Sequence, residues 1–308
     1  MEIFGSSFTE HQVIAALKEI FATDAAHISV GIGDDAAVVT GGAKQILTTD
    51  MAVEGVHFRT EWASAFEIGR KATAANIADV LAMSGTTDYL LVAVALTGKE
   101  SMDWVTELAR GIRFEADLAG AYVVGGDISR SEKVIISISA IGSVIQPILR
   151  SGAKAGDQIY LSSLTGWSAA GLEILKSNSN VSGKFAEKAL QEFKSPTIDY
   201  QFDASKASAL CDISDALVIQ GAQLAESSKV SFSFNLSKIE NSSEFAELSE
   251  LANLLGVDVW HWIFAGGEDH VLLATGKDLA GTLIGEVTQG QGLTNLPAGV
   301  GKGAWQHF

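Results

Sequence analysis

Apolar residues along the chain alternate between helical spacing and short continuous blocks. Ser7 and Glu10 have capping-box spacing, and Val13, Leu17, Ile20 and Phe21 follow at helical intervals, which predicts an N-terminal helix. A glycine turn over 31–35 precedes a short apolar block at 36–39, and 45–49 has the pattern of a strand ending in polar residues. A long helix is predicted over 65–84, a buried strand over 88–96 and a second long helix over 101–119. Strands over 121–124 and 134–143 follow. The segment 147–157 is turn-rich, which divides the chain into an N-terminal domain, 1–146, and a C-terminal domain, 147–308. Beyond it the pattern predicts a strand over 158–162, helices over 168–176, 184–193, 204–210 and 215–227, a strand over 230–234, a helix over 244–255 and a strand over 271–275. Strands alternating with helices and with antiparallel-looking pairs predict two α/β domains of the mixed α+β kind.

Composition narrows the function. The 308 residues carry 37 acidic and 21 basic side chains, a net charge of −16. Phosphate backbones and anionic bilayers are held by clustered Lys and Arg, so neither nucleic acid nor a membrane surface is an expected partner. A small phosphorylated ligand stays open, because a metal ion can bridge acid to phosphate. With 47% hydrophobic and 19% charged residues there is ample material for a core. No apolar run reaches the ~18–20 residues of a spanning helix, and no basic segment precedes an apolar stretch at the start, so no secretory signal is expected. Cys211 is the single cysteine, which excludes an intramolecular disulfide and a Cys-rich zinc site and fits a cytoplasmic protein.

Six segments then share one chemical grammar, acids beside Gly, Ser or Thr. They are Gly31-Ile32-Gly33-Asp34-Asp35, Thr48-Thr49-Asp50, Asn76 with Asp79, Gly125-Gly126-Asp127, Asp212-Ile213-Ser214-Asp215 and Gly266-Gly267-Glu268-Asp269. Each alone has an ordinary explanation: a solvated turn, a strand end, or a helix cap at Asp212 or Ser214. Asn76 and Asp79 sit three apart on one face of an otherwise apolar helix, where an unpaired Asp is costly. Taken together they predict carboxylates converging on Mg²⁺ ions and a nucleoside triphosphate, since Mg²⁺ takes one or two carboxylates plus phosphate oxygens. No P-loop, protein-kinase signature, His-x-x-x-His zinc spacing or Gly-x-Ser-x-Gly turn is present. His57 suits either a structural or a functional role. Arg150 is a phosphate ligand or a surface residue, and Trp305 a stacking platform or a packed terminal side chain.

These segments, with Val53-Glu54-Gly55-Val56-His57-Phe58, Arg150 to Asp157 and Ser168 to Leu172, occur in the order found in thiamine-monophosphate kinases. The chain resembles that family over nearly its whole length. The resemblance implies ATP-dependent phosphorylation of thiamine monophosphate to thiamine diphosphate. It also implies the two-domain aminoimidazole ribonucleotide synthetase-like fold, with the N-terminal sheet used for dimerisation. By matching positions, it implies Asp35, Thr48, Thr49, Asp50, Asp79, Asp127, Asp212 and Asp215 as Mg²⁺ ligands. Catalysis would centre on Asp127, Asp212 and Asp215. Gly126, Asp127, Arg150 and Ser214 would contact ATP, and His57, Glu268 and Trp305 the thiamine substrate. The chain departs from the family pattern at Ala216, where Gly is usual, at Gln220, where Asp is common, and at His270. Two rivals stand beside this reading: another ATP-using member of the superfamily, and a catalytically weak nucleotide or thiamine-phosphate binder.

Overall fold

The computed structural model describes residues 16–23, 25–26, 28–30, 38–39, 44–177 and 180–300. The predicted cap at Ser7 and Glu10, the turn carrying Asp34 and Asp35, and Trp305 lie outside the described residues. The chain splits into two compact units, Met1–Leu81 with Gly85–Ile145, and Ala82–Ser84 with Gln146–Phe308.

In the first unit, residues 16–20 are helical, and β1 (Ile28–Val30) pairs antiparallel with β2 (Val38–Val39). A four-stranded sheet follows, built from β3 (Gln45–Val53), β4 (Thr86–Leu96), β5 (Tyr122–Arg130) and β6 (Ile135–Ser143) in the order β3-β6-β4-β5. The β3–β6 and β6–β4 pairs are antiparallel and β4–β5 is parallel. Helix α1 (Ala65–Leu81) starts on a reciprocal capping box: the Ser64 N–H donates to Glu67 Oε2 at 2.7 Å, and the Glu67 N–H donates to Ser64 Oγ at 3.3 Å. It ends three residues before the predicted 84. Ser84 takes a φ of 58° and the Gly85 N–H closes onto Val80 O, which stops the helix. Helix α2 (Met102–Ala119) is capped by Ser101 and terminated by Gly120 in the left-handed region.

Alternation along the strands sorts the sheet faces. Ile136, Ile138, Ala140 and Leu90 are buried, as are Ile68 and Ile77 of α1, which packs on this sheet. On β3 and β4, Leu47, Met51 and Leu91 are exposed by 71%, 56% and 41%.

In the second unit the sheet order is β12-β9-β11-β7-β10-β8. Its strands are β7 (Gln158–Leu161), β8 (Ala207–Asp212), β9 (Ser231–Phe234), β10 (Leu272–Gly276), β11 (Thr282–Thr288) and β12 (Gly292–Thr294). The helices are α3 (Trp167–Ser177), α4 (Lys184–Lys194), α5 (Leu217–Ser228), α6 (Leu236–Glu240), α7 (Ser243–Leu255) and α8 (Val259–Ala265). The core joins Ile159 and Leu161 of β7, Leu273 of β10, Trp167 and Ile174 of α3, Leu224 of α5 and Phe232 of β9.

Three expectations are corrected. The segment 204–210 is not a helix: its Ala-rich composition favours helix, but Ala207–Asp212 pairs antiparallel with β10, and burial in the sheet overrides propensity. Thr48-Thr49-Asp50 is not a strand end, because β3 continues to Val53. Gly125-Gly126-Asp127 is not a turn after a strand, because β5 runs through it to Arg130.

Candidate functional site

The first unit brings part of the predicted ligand set together. Thr48 and Asp50 are two apart on β3 and so share a face. The Thr48 hydroxyl donates to Asp79 Oδ2 of α1 at 2.7 Å. Buried Asn76 ties the two elements: its Oδ1 accepts the Asp50 N–H at 3.0 Å, while its Nδ2 donates to Ala72 O at 2.9 Å. Asn76 therefore sets the distance between strand and helix, and its amide is occupied by backbone. Thr49 belongs to the opposite face. Its hydroxyl donates to Ile138 O at 3.0 Å and accepts from Ser139 Oγ at 3.0 Å, within the sheet.

Asp127 stands on β5 opposite Ala93, exposed. The two glycines before it differ. The register of β5 against β4 shifts beside Gly125. A Cβ on Gly126 would lie 1.8 Å from Val92 O, so only glycine fits between the strands; a Cβ on Gly125 meets nothing nearer than Leu91 Cδ2 at 3.3 Å. His57 follows β3, and its Nδ1 accepts the Val53 N–H at 3.1 Å, which places the ring proton on Nε2 in the neutral form.

The second unit assembles a different group. Asp212 ends β8 and is buried; its Oδ2 lies 3.2 Å from Nδ1 of buried His270. Ser214 and Asp215 occupy the loop between β8 and α5, against the loop from Gly266 to His270. The Glu268 N–H donates to Ser214 O at 2.7 Å and the His270 N–H to Ile213 O at 2.9 Å. A Cβ on Gly267 would meet Asp215 O at 2.3 Å, so glycine is what lets the loops lie this close. Glu268 and His270 themselves adopt φ of 67° and 52°, left-handed conformations that cost an L side chain about 1–2 kcal/mol each. Ala216 has a φ of −176°, extended backbone open to any residue, so the departure from glycine there costs nothing. Arg150 is exposed, and its Nη1 donates to Gln223 Oε1 of α5 at 2.7 Å.

Asp269, the last acid of the sixth segment, has a structural task. Its carboxylate accepts the N–H groups of Gly166 (2.8 Å) and Ser168 (2.9 Å) at the start of α3. Burial pushes its pKa up to about 6, against the lowering effect of those two hydrogen bonds. Gln220 was missed as a site residue, although its place four residues after Ala216 marks it as able to reach back over the first turn of α5. Burial pushes the Cys211 thiol well up, so it is no nucleophile at neutral pH.

Within each unit the described residues bring part of the six segments together, and the first segment, with Asp34 and Asp35, lies outside them. Among the described residues, no three His, Cys, Asp or Glu side chains gather to hold a metal, and each unit by itself holds a set of oxygen donors. Both sets fit Mg²⁺, which needs only one or two carboxylates when phosphate and water complete its shell. Thr48, Asp50 and Asp79 supply hard oxygens in the first unit, and Asp212 and Asp215 in the second.

Residues 33–144 match the family of the AIR synthase related protein, N-terminal domain. A thiamine-monophosphate kinase of Mycobacterium tuberculosis (strain ATCC 25618 / H37Rv) is 34% identical over 295 residues, 92% of this chain and 87% of that one. This chain belongs to the thiamine-monophosphate kinase family. The enzyme of that name from Aquifex aeolicus (strain VF5) is 33% identical over 287 residues, 90% of this chain and 92% of its own. A solved structure, AaThiL complexed with AMPPCP and TMP, superposes with a TM-score of 0.79 at 31% identity, covering 97% of both chains. The mixed α/β fold, with one large sheet in each unit, is the AIR synthase-like fold of this family. Among the described residues no helix is long and apolar enough to cross a membrane.

Proposed function

We propose that this protein transfers the γ-phosphoryl group of ATP to the phosphate of thiamine monophosphate, giving thiamine diphosphate and ADP. The likeness, over almost the full chain, to AaThiL complexed with the ATP analogue AMPPCP and TMP carries this reading. A phosphate oxygen of thiamine monophosphate attacks the γ-phosphorus in line, the bond from that phosphorus to the β,γ-bridging oxygen breaks, and ADP leaves. A phosphate monoester has its second pKa at about 6, so the nucleophile is already ionised near neutral pH and needs no strong base. Mg²⁺, when bound, offsets the charge of both anions and orients them.

Asp127, Asp212 and Asp215 act as the catalytic carboxylates, and Asp35, Thr48, Asp50 and Asp79 complete the Mg²⁺ donors; the Thr49 hydroxyl, held on the opposite face of β3, does not join them. The geometry supports Thr48, Asp50 and Asp79 most directly, because Asn76 and the Thr48–Asp79 contact hold them on one face. Gly126, Arg150 and Ser214 contact ATP; His57, Glu268 and Trp305 contact the thiamine moiety. The protein works as a cytoplasmic homodimer that covers Leu47, Met51 and Leu91, large apolar side chains otherwise left in water. Purified protein with ATP, Mg²⁺ and thiamine monophosphate should form thiamine diphosphate and ADP in equal amounts. ADP and free phosphate without thiamine diphosphate would refute this function.

A further inference from the structure

We infer that Gln220 is a positioning residue that holds Ser214 and Asp215 in their binding geometry, and that it must be a hydrogen-bond donor on that side. Its side chain is 2% exposed and both ends of the carboxamide are engaged. Oε1 accepts the Ala216 N–H at 3.0 Å, an orphan donor at the start of α5 that the Ala216 side chain cannot serve. Nε2 donates to Ser214 Oγ at 3.1 Å and to Asp215 Oδ2 at 3.3 Å. One planar group thus grips the helix start with its acceptor and aims the two functional side chains with its donor. An acid at this position is an acceptor only when ionised, and would turn a negative oxygen toward Asp215. An Asp is also one methylene shorter, so it cannot span the same three partners. The amide keeps one negative charge where an acid would place two, in a loop that has to receive a polyanion. This rests on the phosphoryl-transfer reading for its ligand, but not for the geometry.

The amide also makes the two roles separable. Gln220→Glu keeps the oxygen that accepts the Ala216 N–H and reverses the polarity toward Ser214 and Asp215. Gln220→Met removes both. The measurements are the melting temperature in EDTA, the affinity for Mn²⁺·AMPPCP by calorimetry, and kcat for thiamine diphosphate formation. Gln220→Glu sets a second buried carboxylate against Asp215, so it is expected to melt lower than the unsubstituted protein and to lose about 10–100-fold in Mn²⁺·AMPPCP affinity and in kcat, the usual cost of disturbing a group that orients a ligand side chain. Gln220→Met is expected to lose stability as well. Normal binding and turnover in Gln220→Glu overturns the inference. So do normal binding and turnover in Gln220→Met beside a lowered melting temperature, which would make the residue a helix cap alone. Loss of Mn²⁺·AMPPCP binding in Gln220→Glu, in a protein that never phosphorylates thiamine monophosphate, upholds the inference and sinks the proposed function. An unsubstituted protein that binds no Mn²⁺·AMPPCP overturns both.

Discussion

Gly125 and Gly126 form a matched pair for testing whether a glycine serves the fold or the ligand. The perturbation is one methyl group at each position. At Gly126 the new Cβ would sit 1.8 Å from Val92 O and 2.7 Å from Val92 C, both backbone atoms of the neighbouring strand. No rotamer relieves such a contact, so β4 and β5 must part locally. Overpacking of this kind costs about 1–3 kcal/mol, occasionally more, and rigid backbone puts this site at the upper end. For a unit of this size about 3 kcal/mol lowers the melting temperature by roughly 6–12 °C. At Gly125 the nearest atom is Leu91 Cδ2 at 3.3 Å, the tip of a flexible and partly exposed side chain. Gly125→Ala should therefore shift the melting temperature by no more than about 2 °C, in line with an ordinary surface substitution. Scanning calorimetry of both variants without nucleotide, followed by KM for ATP, separates the cases. Equal destabilisation by the two substitutions would refute the reasoning. So would a stable Gly126→Ala protein that merely binds ATP poorly, because the glycine would then serve phosphate approach and not strand packing.

Two further outcomes are expected. Asp127→Asn and Asp212→Asn should each lower turnover by about 100-fold or more while far-ultraviolet dichroism stays unchanged, as for groups that act on transition-state charge; near-normal rates in both would remove them from the metal set. Asp269, with a folded pKa of about 6 above its ordinary 3.8, keeps a proton that the unfolded chain has released. Stability should thus fall as pH rises from about 4 to about 6, by up to ~3 kcal/mol, and then level off. Denaturant titrations across that window should show a shallower pH dependence in Asp269→Asn, and an unchanged slope would exclude Asp269 as the source.

Much of the fold was legible because helices and buried strands carry their period in the sequence. The predicted 65–84 and 101–119 appear as α1 and α2 within a few residues, and 88–96 as all but the first two residues of β4. The misses share a physical cause, pairing that is not local. The segment 204–210 carries Ala204, Ala207 and Ala209, and it enters a strand from Ala207 only because β10 offers a partner. β11 and β12 were overlooked because Thr, Gly and Glu dilute their apolar content, while their place is fixed by β7 and β9. β3 and β5 outrun their predicted ends for the same reason: Asp50 and Asp127 look like terminators, yet both pair across the sheet. At the site, the kind of residue was legible and the assignment of tasks was not. Asn76 and Asp79 were marked by polarity in an apolar helix, and the structure divides them, one bridging backbone and the other meeting Thr48.

That division suggests a physical criterion for acids in such motifs. A carboxylate has about four acceptor positions. Asp269 uses both its oxygens on the N–H groups that start α3. Asp157 accepts the Lys154 N–H at 2.9 Å and the Ser208 hydroxyl at 2.6 Å on a single oxygen. In these two, fixed donors already point at the carboxylate and oppose a cation's approach to the oxygens they occupy. Among the described residues, Asp215 instead meets one shared amide donor at 3.3 Å, and Asp212 one histidine nitrogen at 3.2 Å. Such sparse donation leaves acceptor capacity that folding alone does not use, and a buried acid like Asp212 is costly to keep on those terms. The same Gly-then-acid or acid-Ser pattern thus covers two situations, a carboxylate held by two short fixed donors and a ligand that folding engages only weakly. What separates them is the number of donors that distant elements bring. Those donors come from α3 for Asp269, from the Lys154 turn and β8 for Asp157, and from the loop before β10 for Asp212, none of them adjacent in sequence to the pattern that first drew attention except the Lys154 turn.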